Sequence, residues 1–88
     1  MDAITEIKKQ LGSEALIIGA EKSLKALRAG TLAKVFLATN PRQGVRDDID
    51  RYAKLGDAEV ILLEVPNDEL GTMCKKPFPI SVIGLKRQ

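Results

Sequence analysis

Behind Gly19, cations recur at every third position as Lys22, Lys25 and Arg28. On a helix this spacing lays them along one flank, beside or opposite the apolar Leu24 and Leu27. The glycine ahead of them lets a ligand backbone come close, because no side chain blocks it. A helix opening at Ala20 and Glu21 adds free amide donors and the positive end of its dipole, which suit phosphate oxygens. The open turn at Gly19, the amides of Ala20 and Glu21, and the cations Lys22, Lys25 and Arg28 thus offer a grip on a phosphate backbone. The same residues also fit an ordinary solvent-facing helix, with Glu21 paired to Lys25 one turn on.

Other reactive groups offer less. Asp47 and Asp48 are adjacent, so on a helix they point about 100° apart and are poorly placed to share a metal ion. Their position near a helix start suits the dipole instead. Cys74 is the one cysteine, and the sequence has no histidine to activate it. The missing histidines also remove the usual carrier of acid–base chemistry at neutral pH. A zinc site would need one thiol and carboxylates, an improbable set. No enzyme activity, metal or cofactor is expected. Tyr52 lies on an apolar stripe and reads as core, and Phe78, between two prolines, reads as a cover over the core rather than a ring for stacking.

The 88 residues suit a single domain, 1–88, and their 44% hydrophobic content is enough for a core of Leu, Ile, Val and Ala. Charged residues make up 30% and the net charge is +2, so any nucleic-acid site must come from local clustering rather than a uniform basic coat. One cysteine excludes an intrachain disulfide and points to a reducing, intracellular setting. No apolar run approaches the ~18 residues of a membrane span. The first residues lack the apolar stretch of a signal peptide. A cytoplasmic location with no membrane partner is the expectation.

These groups must be positioned by alternating elements. Asp2 to Leu11 has Ala3, Ile4, Ile7 and Leu11 at helical spacing, and Gly12 stops it. Ala15 to Ile18 reads as a short buried strand. Ala20 to Ala29 reads as a helix with Ala20, Leu24 and Leu27 inward and a stop at Gly30. Lys34 to Thr39 is a second buried strand, turned outward by Asn40-Pro41. Gly44 to Leu55 forms a third helix, burying Val45, Ile49, Tyr52 and Ala53. Val60 to Leu63 is a third strand, and Asn67 or Asp68 caps a short helix through Leu70. Pro77-Phe78-Pro79 leads into a last strand, Ile80 to Leu85. This α-β-α-β-α-β-α-β order argues for an α/β fold with a largely parallel or mixed sheet of four strands and helices on both faces. Ligands of such sheets meet the carboxyl ends of strands, where three loops could share an edge: 19–22, 39–42 and 70–76.

The blocks IIGAEKSLKALRAGTLAKVFLATN, RDDIDRYAKL and NDELGTMCKKPFPISVIGL together resemble the kink-turn-binding large-subunit ribosomal proteins seven-Ae and thirty-e, more closely the thirty-e branch. The likeness runs from about Leu16 to Leu85. It implies a three-layer α/β/α sandwich and recognition of a kink-turn, an RNA stem bent at a three-nucleotide bulge beside tandem sheared G·A pairs. By position, Gly19 and Ala20 match the small residues that approach the RNA. Glu21 and Lys22 stand where the seven-Ae branch has asparagine and glutamate contacting the sheared guanines, and Lys25 matches a lysine that touches phosphate or a base edge. Asn40 falls in a second contact region. The stretch Leu70, Gly71, Thr72, Met73 and Cys74 matches the loop over the flipped bulge base, with Thr72 and Met73 as its contacts. Lys75 occupies a place usually held by glycine.

The resemblance implies a non-catalytic RNA-binding component of a ribosomal or related ribonucleoprotein particle. Its partner would be structured RNA, either ribosomal RNA or a small guide-type RNA, with partner proteins of the particle alongside. A protein–protein scaffold of the same fold with weak or no RNA binding is the alternative.

Overall fold

A computed structural model describes residues 3–39 and 43–87. The elements follow the order α1 (Ala3–Gln10), β1 (Leu16–Ile18), α2 (Ala20–Arg28), β2 (Leu32–Leu37), α3 (Gln43–Gly56), β3 (Glu59–Leu62), α4 (Asn67–Met73) and β4 (Val82–Lys86). The strands form one sheet in the order β1-β4-β2-β3. β4 runs antiparallel to both β1 and β2, whereas β2 and β3 are parallel. The sheet is therefore mixed, as the element order led one to expect.

Alternation along the central strands divides the core in two. Phe36, Ala38 and Ile83 face one side, where they pack with Ile7 of α1 and Leu70 of α4. Val35, Leu37 and Val82 face the other, against Leu27 of α2 and Ile49 and Ala53 of α3. Successive strand residues point to opposite faces, so a continuous apolar run such as VFLA must feed both layers. The result is an α/β/α sandwich with α1 and α4 on one face and α2 and α3 on the other.

Several boundaries differ from the sequence reading for identifiable reasons. β1 is an edge strand whose three residues are only half-buried, because its outer side has no neighbour. β2 begins at Leu32, two residues earlier than expected, since Leu32 pairs with Lys86. α3 starts at Gln43, which moves Asp47 and Asp48 beyond its first turn. The dipole falls off within that turn, so it does not account for this pair. α4 has Pro66 at its cap with no side-chain bond, and it continues past Leu70 to Met73. The stretch 70–73 is thus helical rather than loop.

On α2, the innermost residues are Leu27 and Ser23, while Leu24 is half-buried. Ser23 sits over Gly84, where a β-carbon would come within 2.7 Å of a Leu32 methyl and 3.3 Å of the serine Oγ. Two small residues let the helix lie close on the sheet at this point. The Ser23 hydroxyl is buried without a hydrogen-bond partner among the described residues. At the opposite end, the Arg87 guanidinium donates to the carbonyls of Gly30, Gly56 and Asp57. It thereby satisfies the C-terminal ends of α2 and α3 together.

Candidate nucleic-acid interface

The main chain draws three separate segments to one edge of the sheet. The Gly19 amide donates to Val82 O at 3.0 Å, and the Ala38 amide donates to Ser81 O at 2.9 Å. Beside them, the Thr39 amide donates to Val65 O at 2.9 Å. The exits of β1 and β2, the entry to β4 and the turn into α4 therefore lie side by side.

Gly19 has φ 114° and ψ 147°, a conformation essentially reserved for glycine. A β-carbon there would meet nothing within 4 Å, so the backbone turn, not crowding, demands glycine. The same openness leaves the tip of α2 approachable. Ser23 N–H is the amide that bonds back to Gly19 O, at 3.1 Å. The amides before it in the first turn have no side-chain cap. Glu21, Lys22 and Lys25 are all exposed. The Glu21–Lys25 ion pair does not form: among the described residues the salt bridge is Lys34 to Glu6, at 3.0 Å. Among the described residues the acid and both lysines form no ion pair.

Lys22 meets a distant segment. Together with Lys76, Phe78 and the β1 residues Leu16, Ile17 and Ile18 it lines an open groove of about 330 Å³. Lys76 and Phe78 also border a second groove of about 300 Å³, completed by Asp68, Thr72, Pro77 and Pro79. The Lys76–Phe78 segment is therefore a ridge between two hollows. Phe78 is 50% exposed, so it does not cover the core as its flanking prolines suggested. An exposed ring that shares a groove with two lysines can stack on a base while the cations meet flanking phosphates.

The ridge is held up by α4. Lys75 N–H donates to Thr72 O and Lys76 N–H donates to Gly71 O, each at 3.0 Å. These two bonds form a Schellman motif with Lys75 in its left-handed position, at φ 59°. Glycine is the usual occupant, and an L-residue costs about 1 kcal/mol there. Farther along, Ile80 N–H donates to Asn67 O at 2.9 Å, closing the segment onto the start of α4.

The remaining sequence-predicted residues divide by location. Thr72 is exposed beside the second groove, and Met73 is half-buried against the core. Leu70 is 0% exposed, so its side chain fills the core and cannot touch a surface ligand. Gly71 is buried beneath Phe78. Ala20 is half-buried at the helix tip. Arg28 is at the far end of α2, with its guanidinium 4.9 Å from the centre of the Tyr52 ring. Six residues of helix separate it from Lys22, about 9 Å of axial rise, and a cation–π contact occupies it. Asn40 lies outside the described residues, but its neighbour Thr39 lines a hollow of about 200 Å³ with Arg46 and Leu62.

The sequence places Lys76 in the 70–76 edge loop without marking it as a contact and reads Phe78 as core cover, so it does not reach their pairing with Lys22. The signal was present as a basic pair followed by an aromatic residue held between prolines, which restrict the backbone around it.

The pattern of the ribosomal protein L7Ae/L30e/S12e/Gadd45 family matches residues 1–88. The chain belongs to this family. Among relatives in the L7Ae/L30e/S12e/Gadd45 family, large ribosomal subunit protein eL30 of Sulfolobus acidocaldarius is 40% identical over 80 residues, covering 91% of this chain and 77% of its own. The eL30 protein of Methanosphaera stadtmanae is 32% identical, over 94% of this chain and 85% of that one. Among solved structures, a 15.5 kD RNA binding protein of Giardia lamblia superposes with a TM-score of 0.81 at 16% identity, over 97% of this chain and 71% of its own. A Bacillus halodurans protein of unknown function gives 0.83 at 19% identity, over 96% and 83%. The L7Ae-type fold is thus shared well beyond recognisable sequence identity.

Proposed function

We propose that this chain is a non-catalytic ribonucleoprotein component that binds structured RNA, with a kink-turn containing sheared G·A pairs as its target. The observation that carries the reading is the meeting of Lys22 with Lys76 and Phe78 across the β1 groove, beside the open tip of α2. Residues more than fifty positions apart supply cations, amide donors and a stacking face on one rim. The family assignment and the names of the eL30 relatives support ribosomal RNA as the partner class.

A preformed rim of this kind recognises shape. The cations contact phosphates and set register, while Glu21 accepts from guanine amino and imino groups and Phe78 stacks on an unpaired base. A bulged, bent stem presents such a base and non-Watson–Crick edges, whereas a straight A-form duplex hides them. Preferential binding to the bent form then shifts the RNA toward it.

The test is equilibrium binding of the purified chain to a kink-turn hairpin and to a straight duplex of equal length, across a salt series. The hairpin should bind more tightly, and its affinity should fall with salt at a slope set by a few phosphate contacts. Equal binding to both RNAs would remove kink-turn selectivity. Absent RNA binding would instead favour a protein–protein scaffold of the same fold.

A further inference from the structure

Lys75 is a lysine in a place where the backbone asks for glycine. Its φ of 59° and the two carbonyl bonds around it make it the left-handed residue that ends α4. Asp57 has nearly the same φ, at 56°, after α3, but aspartate is among the residues that tolerate this region. Lysine gains no such local compensation. Its side chain is exposed and forms no ion pair or hydrogen bond among the described residues. Among the described residues only the two main-chain bonds that end α4 offset the unfavourable conformation, and the lysine side chain adds nothing to them. Departures from local preference of this sort concentrate at functional sites.

Its position supplies a use. Lys75 begins the segment whose next residue, Lys76, borders both grooves, and its amide bonds to Thr72 on the wall of the second. That second groove also carries the Asp68 carboxylate, so an approaching phosphate needs added positive charge on that side. We infer that Lys75 is a phosphate-contacting residue of the RNA site, which extends the cationic rim from Lys22 and Lys76 past the Phe78 ridge. This inference rests on the RNA-binding reading given above and adds a cation to it.

Three substitutions test it, each measured for melting temperature and for affinity to the kink-turn hairpin across a salt series. Lys75→Gly should raise the melting temperature by about 4 °C or more, because it relieves the left-handed residue. The same change should weaken RNA binding by about fivefold at 0.1 M salt and lower the salt slope by about one. Lys75→Gln should lose the same affinity without the thermal gain, and Lys75→Arg should keep the affinity. Stabilisation by Lys75→Gly with affinity and slope unchanged overturns the assignment, as does full affinity in Lys75→Gln. Loss of affinity in Lys75→Arg equal to that in Lys75→Gln also counts against a charge contact. If the unsubstituted chain ignores RNA altogether, the reading beneath this inference fails with it. If that chain binds and Lys75→Gly binds as well, only the role of Lys75 is lost.

Discussion

Gly71 lies so close under Phe78 that a β-carbon on the glycine would collide with the Phe78 carbonyl oxygen. The helix α4 thereby sets the height at which the aromatic ring stands between the two grooves. Gly71→Ala should push the 77–79 segment away from α4 and cost about 1–3 kcal/mol of stability, as overpacking does. RNA affinity should drop as well, beyond what residual unfolding explains. Denaturant melts and binding on the same preparation check both. Unchanged affinity in a destabilised but folded variant would mean that the height of the ring is immaterial.

Phe78 is half exposed, so Phe78→Ala should leave the fold nearly as stable as before. Its RNA affinity should fall by about 1–3 kcal/mol, the value of one base stack on an aromatic ring. Phe78→Tyr should retain most of the binding. Comparable affinity for the alanine and tyrosine variants would show that no base stacks there.

The cations of α2 should separate along the helix. Lys22→Ala and Lys25→Ala should weaken RNA binding and each reduce the salt slope by about one, with little change in stability. Arg28→Ala should leave RNA binding nearly intact and instead cost about 0.5–1 kcal/mol through its lost contact with Tyr52. Salt titrations of all three variants give the answer, and a large binding defect in Arg28→Ala alone would move the interface to the other end of the helix.

On the buried side of α2, Leu27→Ala should cost about 2–5 kcal/mol, because Leu27 is 2% exposed within the core. The half-buried Leu24 should cost less on the same substitution. Ser23→Ala should be neutral or stabilising by about 1 kcal/mol, since it removes a buried hydroxyl with no partner. Denaturant unfolding ranks the three, and a strongly destabilised Ser23→Ala would reveal a hydrogen bond that the geometry does not contain.

These contrasts mark how far the sequence could be read. Element order, the mixed sheet and the glycine-led helix were legible because apolar runs, cation spacing and turn residues are local signals. The edge position of β1 was not, because pairing order depends on contacts between β4 and both β1 and β2. The resemblance puts Leu70 near the RNA by matching 70–74 to the loop over the flipped base, yet helical geometry turns it into the core. An aromatic residue between two prolines reads as a cover over the core, but Phe78 is half exposed. Only the three-dimensional arrangement places it beside Lys22.

Cys74 gives a pH prediction. Burial pushes its thiol pKa up, and the nearby Lys76 charge offsets part of that shift. A raised native value means the folded chain holds the thiol proton more tightly than the unfolded chain does. Stability from this group is therefore complete below the ordinary thiol value of about 8.5 and declines as pH rises toward the higher native value. Stability measured from pH 8 to 10 should fall more steeply in the unsubstituted chain than in Cys74→Val. Parallel slopes would show that the thiol titrates alike in both states.

Because β4 is inserted between β1 and β2, the strand that is last in chain order completes the middle of the sheet. Until Val82–Lys86 enters, β1 has no hydrogen-bonded neighbour, and the Gly19 amide has no Val82 carbonyl to receive it. A nascent polypeptide that has not yet delivered β4 therefore lacks the strand that joins β1 to β2, and the segments that share the sheet edge are not yet held together.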